Sequence, residues 1–325
     1  MPTTTDADDL PVIPAPRATR CPLAPPAEFA TWRESAGLQR ASWHGEPTWV
    51  ISRYEDIRAA LVDARLSADT LPDFMKPTGT GDGPPLIFPR IDDPEHNRLR
   101  RMMTRDFTYR RAEAMRPEIQ DLVDGFLDDM IAGEPTADLV RTFALPVPSL
   151  VISLLLGVPY DDHELFQRHS TAGLDSRASD EQKGAAGMAL FEYMTDLVAR
   201  KEREPGDDLL SRLITDYVAT GQLSRETAAM NAMILLQAGH ETTASMIALG
   251  TLALLQHPDQ LARLRETDDP AQTANAVEEL MRYLTIVHSL VDRVAVEDLV
   301  IGGQAISADE PTRGQLGPRV RRPSR

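Results

Sequence analysis

The chain has 325 residues, 42% of them hydrophobic and 26% charged, which is enough length and apolar content to bury a substantial core. Its formal net charge of −16 argues against general binding to nucleic acids and against broad docking on an anionic membrane, because phosphates would be repelled. The single cysteine, Cys21, excludes an intramolecular disulfide, and without a signal-like leader or a long apolar run the chain is expected in the cytoplasm.

The first third of the chain is predicted to form an arm, a hairpin, a short helix and a long loop. Residues 1–20 are rich in Pro, Thr and Asp and predict a flexible N-terminal arm. The stretch "RASWHGEPTWVIS" (40–52) predicts a β-hairpin, and "YEDIRAALVD" (54–63) predicts a short helix. The sequence from 64 to 93 is loop-like, and loops of that length usually form lids or binding loops or are disordered.

Helical patterns dominate the rest of the chain. Asp93 is a good N-cap, Pro94 suits the first helical position, and Glu95 complements the helix dipole. A β alternation returns over residues 293–307, so the predicted fold is mainly α with a small β-sheet region. Further helices are predicted near 111–132, 147–156, 161–173, 180–203, 207–220, 224–257 and 271–284.

The stretch "QAGHETTA" (237–244) places four polar residues inside the longest apolar helix. Gly239 costs about 1 kcal/mol relative to Ala in a helix and therefore indicates a close approach. A Thr hydroxyl there bonds a carbonyl four residues earlier and bends the helix, which leaves a groove where Glu241 and Thr242 hold water. Alternatively, the polar run is an exposed or partner-facing stripe. Ala244 stands where the zinc-protease motif requires its second His, which excludes that site.

A second pattern lies on the helix that follows Asp93. His96 and Arg100 are four residues apart and share one helix face, an arrangement that suits a carboxylate or phosphate partner. A solvated basic helix gives the same spacing and stays open as an alternative. Arg98, Arg101 and Arg105 fall on the opposite face, so the helix is predicted to contact two different partners.

The stretch "EELMR" (278–282) carries Glu279 and Arg282 three residues apart. By itself this spacing indicates a surface ion pair worth under about 1 kcal/mol. Both residues lie opposite the apolar stripe of their helix. That stripe consists of Val277, Leu280, Met281 and Leu284.

Together these stretches resemble the cytochrome P450 family, specifically its soluble bacterial class. "AGHETT" (238–243) is similar to the oxygen-activation motif, and "EELMR" is similar to the Glu-x-x-Arg helix. "DDPEHNRLRRMMTRDFT" (92–108) is similar to the propionate-binding helix, and "HSLVDRVAVEDLVIGGQAI" (288–306) to the β region after Glu-x-x-Arg. Four motifs in register, from "CPLAPP" to about Glu310, make the resemblance specific and imply the P450 fold.

The resemblance implies a haem-dependent monooxygenase that inserts one oxygen atom from dioxygen into a small organic substrate of secondary or xenobiotic metabolism. His96, Arg100 and Arg293 would bind the haem propionates, because carboxylates need donors of defined direction. Ala238 and Gly239 would let the haem and the bound oxygen approach the long helix.

The resemblance also implies roles around the cofactor. Glu241 and Thr242 would deliver protons during oxygen activation, and the Glu279–Arg282 pair would lock the core near the haem. The loop 64–91 and the segment around 161–185 would cover the substrate pocket. A ferredoxin-type electron donor would dock near Arg98, Arg101 and Arg105.

The sequence departs from the family near its C-terminus. The family's iron ligand is a Cys thiolate on a Phe- and Gly-rich loop, and no such loop follows "ISADEP" (306–311). We therefore expect an incomplete P450 domain over 21–310, an aberrant Arg-, Pro- and Gly-rich tail over 311–325 such as a frameshift produces, and no metal ligand. Cys21 is expected to be structural or incidental, haem retention is not assured, and the chain as it stands is expected to be inactive. The alternative is a non-catalytic helical remnant or ligand-binding protein from a disrupted P450 gene.

Overall fold

A computed structural model of the chain describes residues 9–15, 17, 21, 23–69, 85–159, 162, 165, 168, 169, 172 and 178–315. The chain divides into two compact units, which we name the sheet unit (Met1–Thr70 with Leu249–Arg325) and the helical unit (Leu71–Ala248).

Helices form most of the described structure, and strands form two small sheets, which confirms the predicted fold class. The α-helices of the described residues are α1 (Glu28–Glu34), α2 (Tyr54–Ala60), α3 (Glu95–Thr104), α4 (Tyr109–Ala132), α5 (Pro146–Leu156), α6 (Asp180–Arg203), α7 (Leu209–Leu213), α8 (Arg225–Gln256), α9 (Pro258–Glu266) and α10 (Pro270–Leu284). The strands are β1 (Gln39–Trp43), β2 (Glu46–Ile51), β3 (Leu66–Ser67), β4 (Ser289–Ala295), β5 (Leu299–Ile301), β6 (Gln304–Ile306) and β7 (Pro311–Gln315).

The larger sheet has the strand order β1-β2-β7-β4-β3, and β5 pairs with β6 in a separate hairpin. Strand β7 runs parallel to β2 and antiparallel to β4, with Thr312 opposite both Trp49 and Arg293. The expectation of an aberrant tail over 311–325 is therefore corrected for residues 311–315, which form the middle strand of the sheet. The guanidinium of Arg313 stacks 3.5 Å from the ring centroid of Trp43 and pairs with Asp292 at 2.8 Å.

Residues 12 and 13 of the expected flexible arm over residues 1–20 are paired with β1, and residues 1–8, 16 and 18–20 lie outside the described residues. Val12 forms a parallel bridge with Ser42 of β1, and the backbone of Ile13 donates a 2.9 Å hydrogen bond to the Ser42 carbonyl. The side chain of Ile13 is buried with Phe29 and Trp32 in a core of the sheet unit. Part of the N-terminal stretch is therefore held by backbone pairing and by apolar burial.

The helical unit has one large apolar core to which α3, α5, α6, α7 and α8 contribute. Helix α6 begins with a capping box, in which Ser179 and Gln182 each accept a hydrogen bond from the other's backbone N–H. Helix α5 ends at Gly157, whose positive φ of 73° suits glycine. A Cβ at Gly157 would lie 2.2 Å from Asp208, so the turn also permits a close approach. Buried members of this core include Leu99, Leu156, Leu190, Leu210 and Leu236.

Several predicted boundaries differ from the structure. Helix α3 begins with Pro94 as its N-cap, one residue later than predicted, and Asp93 accepts a 3.2 Å hydrogen bond from the Asn97 N–H. The predicted helix over 207–220 divides into α7 and a π-helical turn, Ile214–Val218. Most of the predicted helix over 161–173, and residues 70–84 of the predicted loop, lie outside the described residues. Across the part that is described, no helix is both long and apolar enough to cross a membrane.

Candidate functional site

The polar run of α8 distributes its side chains around the helix. His240 and Ala244 are buried, Glu241 and Thr242 are half-buried, and Ala238 is exposed. Helix α8 is continuous over Arg225–Gln256, so the predicted local bulge is not found, and the run does not form one exposed stripe. The predicted back-bond is present, since the Thr242 hydroxyl donates to the Ala238 carbonyl over 2.5 Å.

Gly239 allows a close helix contact, as its cost in a helix interior predicts. A Cβ at this position would lie 3.1 Å from the Cδ1 atom and 3.3 Å from the Cγ1 atom of Ile152 on α5. The space that Gly239 leaves is therefore taken by an apolar side chain of α5. The sequence interpretation had assigned this space, together with that beside Ala238, to a cofactor.

His240 is fully buried and bonds across the helical unit. Its Nε2 atom lies 3.2 Å from the Leu145 carbonyl oxygen at the start of α5. Burial lowers the pKa of His240, an effect that the negative charge of Glu241 opposes. Because a carbonyl only accepts, a neutral ring must carry its proton on Nε2, and His240 acts as a clip between α8 and α5.

The predicted donor pair lies on α3 in the same helical unit. The Nδ1 atom of His96 is 2.7 Å from the Phe88 carbonyl oxygen, so this nitrogen carries a proton. Arg100 is exposed one turn later, and its guanidinium has no hydrogen-bond or ion-pair partner among the described residues. The pair therefore leaves one free cation and one outer imidazole nitrogen on a single helix face.

The three arginines on the opposite face of α3 are not equivalent. Arg98 donates to the Glu95 carboxylate over 2.7 Å and to the Gln222 carbonyl over 2.8 Å. Arg101 and Arg105 are exposed, and within the described part of the chain neither side chain has a partner. Two of the three residues are thus available to an external partner, whereas Arg98 ties α3 to the segment before α8.

The remaining predicted site residues lie in the sheet unit. Arg282 of α10 donates to both carboxylate oxygens of Glu279, over 2.5 and 2.7 Å, and this pairing lowers the pKa of Glu279. The side chains of Glu279 and Arg282 are 61% and 37% exposed, as the surface-pair alternative expects. Arg293 lies on β4, where one guanidinium nitrogen donates to the Asp292 carbonyl over 2.8 Å.

A groove of about 640 Å³ runs along the sheet unit's helices and was not predicted. It lies among the end of α8, α9 and α10, and Glu279 is part of its wall. Its apolar lining includes Ala253, Leu254, Leu264, Ala276 and Leu280.

Sequence analysis also missed Thr227 and Asn231, two buried polar residues near the start of α8. Their side chains bond the backbone of residues 86 and 88. The available signal was the spacing of four, which puts both polar side chains on one face of an apolar helix.

Comparison with known proteins places these features in one family. The family model described as Cytochrome P450 matches residues 174–311. Cytochrome P450-SU2 of Streptomyces griseolus is 48% identical over 304 residues, which cover 92% of this chain and 74% of that protein. Mycinamicin VIII C21 methyl hydroxylase of Micromonospora griseorubida is 42% identical over 301 residues, covering 91% of this chain and 75% of that protein.

Solved structures agree with the sequence relatives. The crystal structure of the mycinamicin hydroxylase bound to mycinamicin VIII superposes with a TM-score of 0.84 at 41% identity, covering 94% of this chain and 78% of that one. The crystal structure of GfsF superposes with a TM-score of 0.82 at 44% identity, covering 94% and 77%. The resemblance inferred from the four motifs is thereby confirmed, and the chain belongs to the cytochrome P450 family of haem-dependent monooxygenases.

Proposed function

We propose that this chain carries the propionate-binding and oxygen-activating parts of a P450 monooxygenase that hydroxylates a small organic molecule. The observation that carries the proposal is the donor pair on α3. Arg100 is exposed and unpaired among the described residues, and His96 lies one turn before it with its Nδ1 atom already bonded. Arg100 donates as it stands, whereas His96 donates through its outer Nε2 atom only when the ring carries a proton on both nitrogens, because Nδ1 already bonds Phe88. In that state the two side chains present donors on one face and suit the carboxylates of a haem.

The residues present fit the propionates of the haem but do not supply a thiolate ligand for its iron. His96 and Arg100 are suitable donors for propionates, and we assign Arg293 as a third donor from the family resemblance. An iron ligand of the thiolate type requires a cysteine, and the 325 residues contain only Cys21. Cys21 lies in the sheet unit, where its carbonyl accepts a 3.0 Å hydrogen bond from Ala24 in a turn. We assign Cys21 no role at the iron.

Haem with its thiolate ligand would supply the activation of dioxygen. The residues of α8 would transfer protons and leave room for the cofactor. The Thr242 hydroxyl donates to the Ala238 carbonyl, so the lone pairs of the Thr242 oxygen remain able to accept a hydrogen bond. Glu241, the adjacent half-buried carboxylate, would pass protons from solvent toward the Thr242 oxygen. Ala238 is exposed and small, and it would leave room beside α8 for the cofactor.

The names of similar proteins suggest the class of substrate. Relatives include Pentalenic acid synthase and Vitamin D3 dihydroxylase in addition to the mycinamicin hydroxylase. We infer a bulky, mainly apolar product of secondary metabolism as the substrate, oxidised in the cytoplasm with electrons from a ferredoxin. The segments 64–91 and 161–185 would cover the pocket, and both lie partly outside the described residues.

The second candidate, a non-catalytic ligand-binding helical protein, is favoured by one observation. The 325 residues contain no Phe- and Gly-rich Cys loop, and Cys21 is their one cysteine. We propose that this chain by itself binds haem through its propionates without forming a thiolate complex.

A haemin titration tests the proposal with the chain as it is. The absorption of haemin should shift on binding, and Arg100→Ala should weaken binding roughly tenfold through loss of a charged hydrogen bond. His96→Ala should act in the same direction. Arg110→Ala, an exposed arginine at the start of α4, is the matched control and should leave binding unchanged.

The same samples, reduced and exposed to carbon monoxide, should lack the absorption band of a thiolate-ligated haem. Equal affinity in Arg100→Ala, His96→Ala and the control would contradict the donor assignment. A thiolate-type band that disappears in Cys21→Ser would contradict the assignment of Cys21.

A further inference from the structure

Asn231 of α8 holds a backbone segment of the helical unit as a neighbouring strand would. Its side-chain oxygen accepts from the Phe88 N–H over 3.0 Å, and its nitrogen donates to the Leu86 carbonyl over 2.8 Å. The second amide hydrogen is directed to the Thr227 carbonyl, also over 2.8 Å. The side chain is buried and makes three of the four hydrogen bonds available to an amide.

Thr227, one turn earlier on α8, completes the attachment. Its hydroxyl oxygen accepts from the Leu86 N–H over 3.2 Å and receives a further hydrogen bond from Ser224 over 3.0 Å. Both backbone groups of Leu86 and the N–H of Phe88 are therefore bonded by side chains of α8. Two side chains replace the partner strand that residues 86–88 lack, and their burial makes any loss costly.

The carbonyl of Phe88, which the α8 side chains do not bond, connects this segment to α3. It accepts from His96 Nδ1 over 2.7 Å, and the two rings lie 6.2 Å apart between centroids. A carbonyl oxygen cannot donate, so this contact requires the proton on Nδ1 and leaves Nε2 as the outer nitrogen. The position of the Phe88 carbonyl thus selects both the tautomer and the orientation of the His96 ring.

We propose that Asn231 is a positioning residue for His96, acting through the backbone of Leu86 and Phe88. The segment that ends at residues 86–88 is thereby linked to the donor pair on α3. The role of His96 as a carboxylate donor rests on the proposed function, whereas the positioning of its ring does not. The two claims can therefore fail separately.

The ring nitrogens of His96 give a direct readout in the 325-residue chain labelled with ¹⁵N-histidine. In the neutral form of the ring, recorded at about pH 8.5, the wild-type His96 should show the proton on Nδ1. In Asn231→Leu the Phe88 carbonyl loses its support, and the His96 signals should shift toward the Nε2-protonated tautomer. Asn275→Leu, an exposed asparagine of α10, is the matched control and should show wild-type signals.

Two milder variants keep the test decisive if Asn231→Leu does not fold. Asn231→Asp keeps the acceptor for Phe88 and removes the donors to the Leu86 and Thr227 carbonyls. Thr227→Val removes the hydroxyl oxygen that accepts from the Leu86 N–H and from Ser224. Both should shift the His96 tautomer partly, with unchanged far-UV circular dichroism. Wild-type His96 signals in every folded variant would overturn the proposal and leave Asn231 as a local support of residues 86–88.

Haemin affinity separates the two claims. The folded Asn231 variants should bind haemin roughly tenfold more weakly, as His96→Ala does, because a doubly protonated His96 ring that the Phe88 carbonyl no longer orients does not direct its Nε2–H to the carboxylate. If the tautomer shifts but neither set of variants alters haemin binding, the positioning stands and the donor role of His96 fails. If His96→Ala weakens haemin binding and the Asn231 variants do not, the ring position set by Asn231 has no effect on binding, and the proposal fails.

Discussion

At the scale of single residues, the buried His240 and the half-buried His288 show how loss of solvent affects protonation in this chain. Burial lowers the pKa of His240, and the ring bonds the Leu145 carbonyl. Burial and, secondly, the positive charge of Arg17 lower the pKa of His288 to about 4. The ring of His288 meets Phe29 edge-on, with centroids 5.6 Å apart. Both histidines are therefore neutral in the folded protein near pH 7.

The neutral state of His288 predicts a loss of stability in mild acid. Between about pH 6.5, the ordinary histidine value, and the folded value of about 4, the unfolded chain binds more protons than the folded chain. The free energy of unfolding should therefore fall as the pH is lowered through this window. In His288→Asn that dependence should be weaker, measured by urea unfolding at several pH values.

His257→Asn is the control, because His257 is exposed at the end of α8. It should show the same pH dependence as the wild-type chain. An unchanged slope in His288→Asn between the two pH limits would contradict the prediction, since other groups would then carry the whole dependence.

At the scale of elements, helix α10 keeps an apolar face that part of the fold leaves uncovered. Val277 and Met281 are 49% and 55% exposed, and Leu255 at the end of α8 is 64% exposed. Leu284, the fourth residue of the predicted stripe, is 1% exposed and belongs to the interior.

This exposed face predicts self-association of the chain. Replacing Val277 and Met281 together by Lys should raise the soluble fraction and reduce light scattering, because an exposed apolar patch becomes charged. The thermal midpoint should not fall, since neither side chain is buried. Expression yield, size-exclusion profile and thermal melting measure these outcomes.

Leu284→Ala is the opposing control on the same helix. Because Leu284 is buried, the substitution should lower stability by about 2–5 kcal/mol and should not improve solubility. A double Lys variant that remains as insoluble as the wild-type chain would show that association arises elsewhere.

At the scale of the whole molecule, a net charge of −16 repels an acidic electron carrier unless a local basic surface receives it. The face of α3 that bears Arg101 and Arg105 is such a surface, with the exposed aromatic residues Phe107 and Tyr109 just beyond it. Arg98, the third predicted docking residue, is left unchanged in the test because Glu95 and Gln222 also hold its guanidinium.

Reversal of Arg101 and Arg105 to Glu should weaken the binding of an acidic ferredoxin to this chain and reduce its salt dependence. The attraction is screened over about 10 Å at 0.1 M salt and about 3 Å at 1 M. Binding measured by surface plasmon resonance at low and high salt gives both quantities. The double reversal of Arg263 and Arg265 on α9 changes the net charge equally and should have the smaller effect. Equal effects of the two reversals would mean that net charge, not the α3 face, governs the encounter.

The sequence by itself determined most of the described helices, the hairpin and the family, but it did not predict α1 or α9. Caps, apolar periodicity and motif spacing act within a few residues, so the 180–203 helix, the long helix and the 40–52 hairpin were predicted within about four residues at each end. The same local geometry predicted that His96 and Arg100 share a face and that a Thr of α8 bonds back to a carbonyl four residues earlier.

Only the tertiary structure decided which faces are covered and by what. His240 bonds the Leu145 carbonyl, Asn231 bonds residues 86 and 88, and Gly239 admits Ile152, all partners far away in sequence. Strand β7 has its partners in β2 and β4, so its local composition, rich in polar and small residues, gave no sign of a central strand. Periodicity states that a face is apolar or polar, whereas its partner depends on packing between distant segments, which a local pattern does not contain.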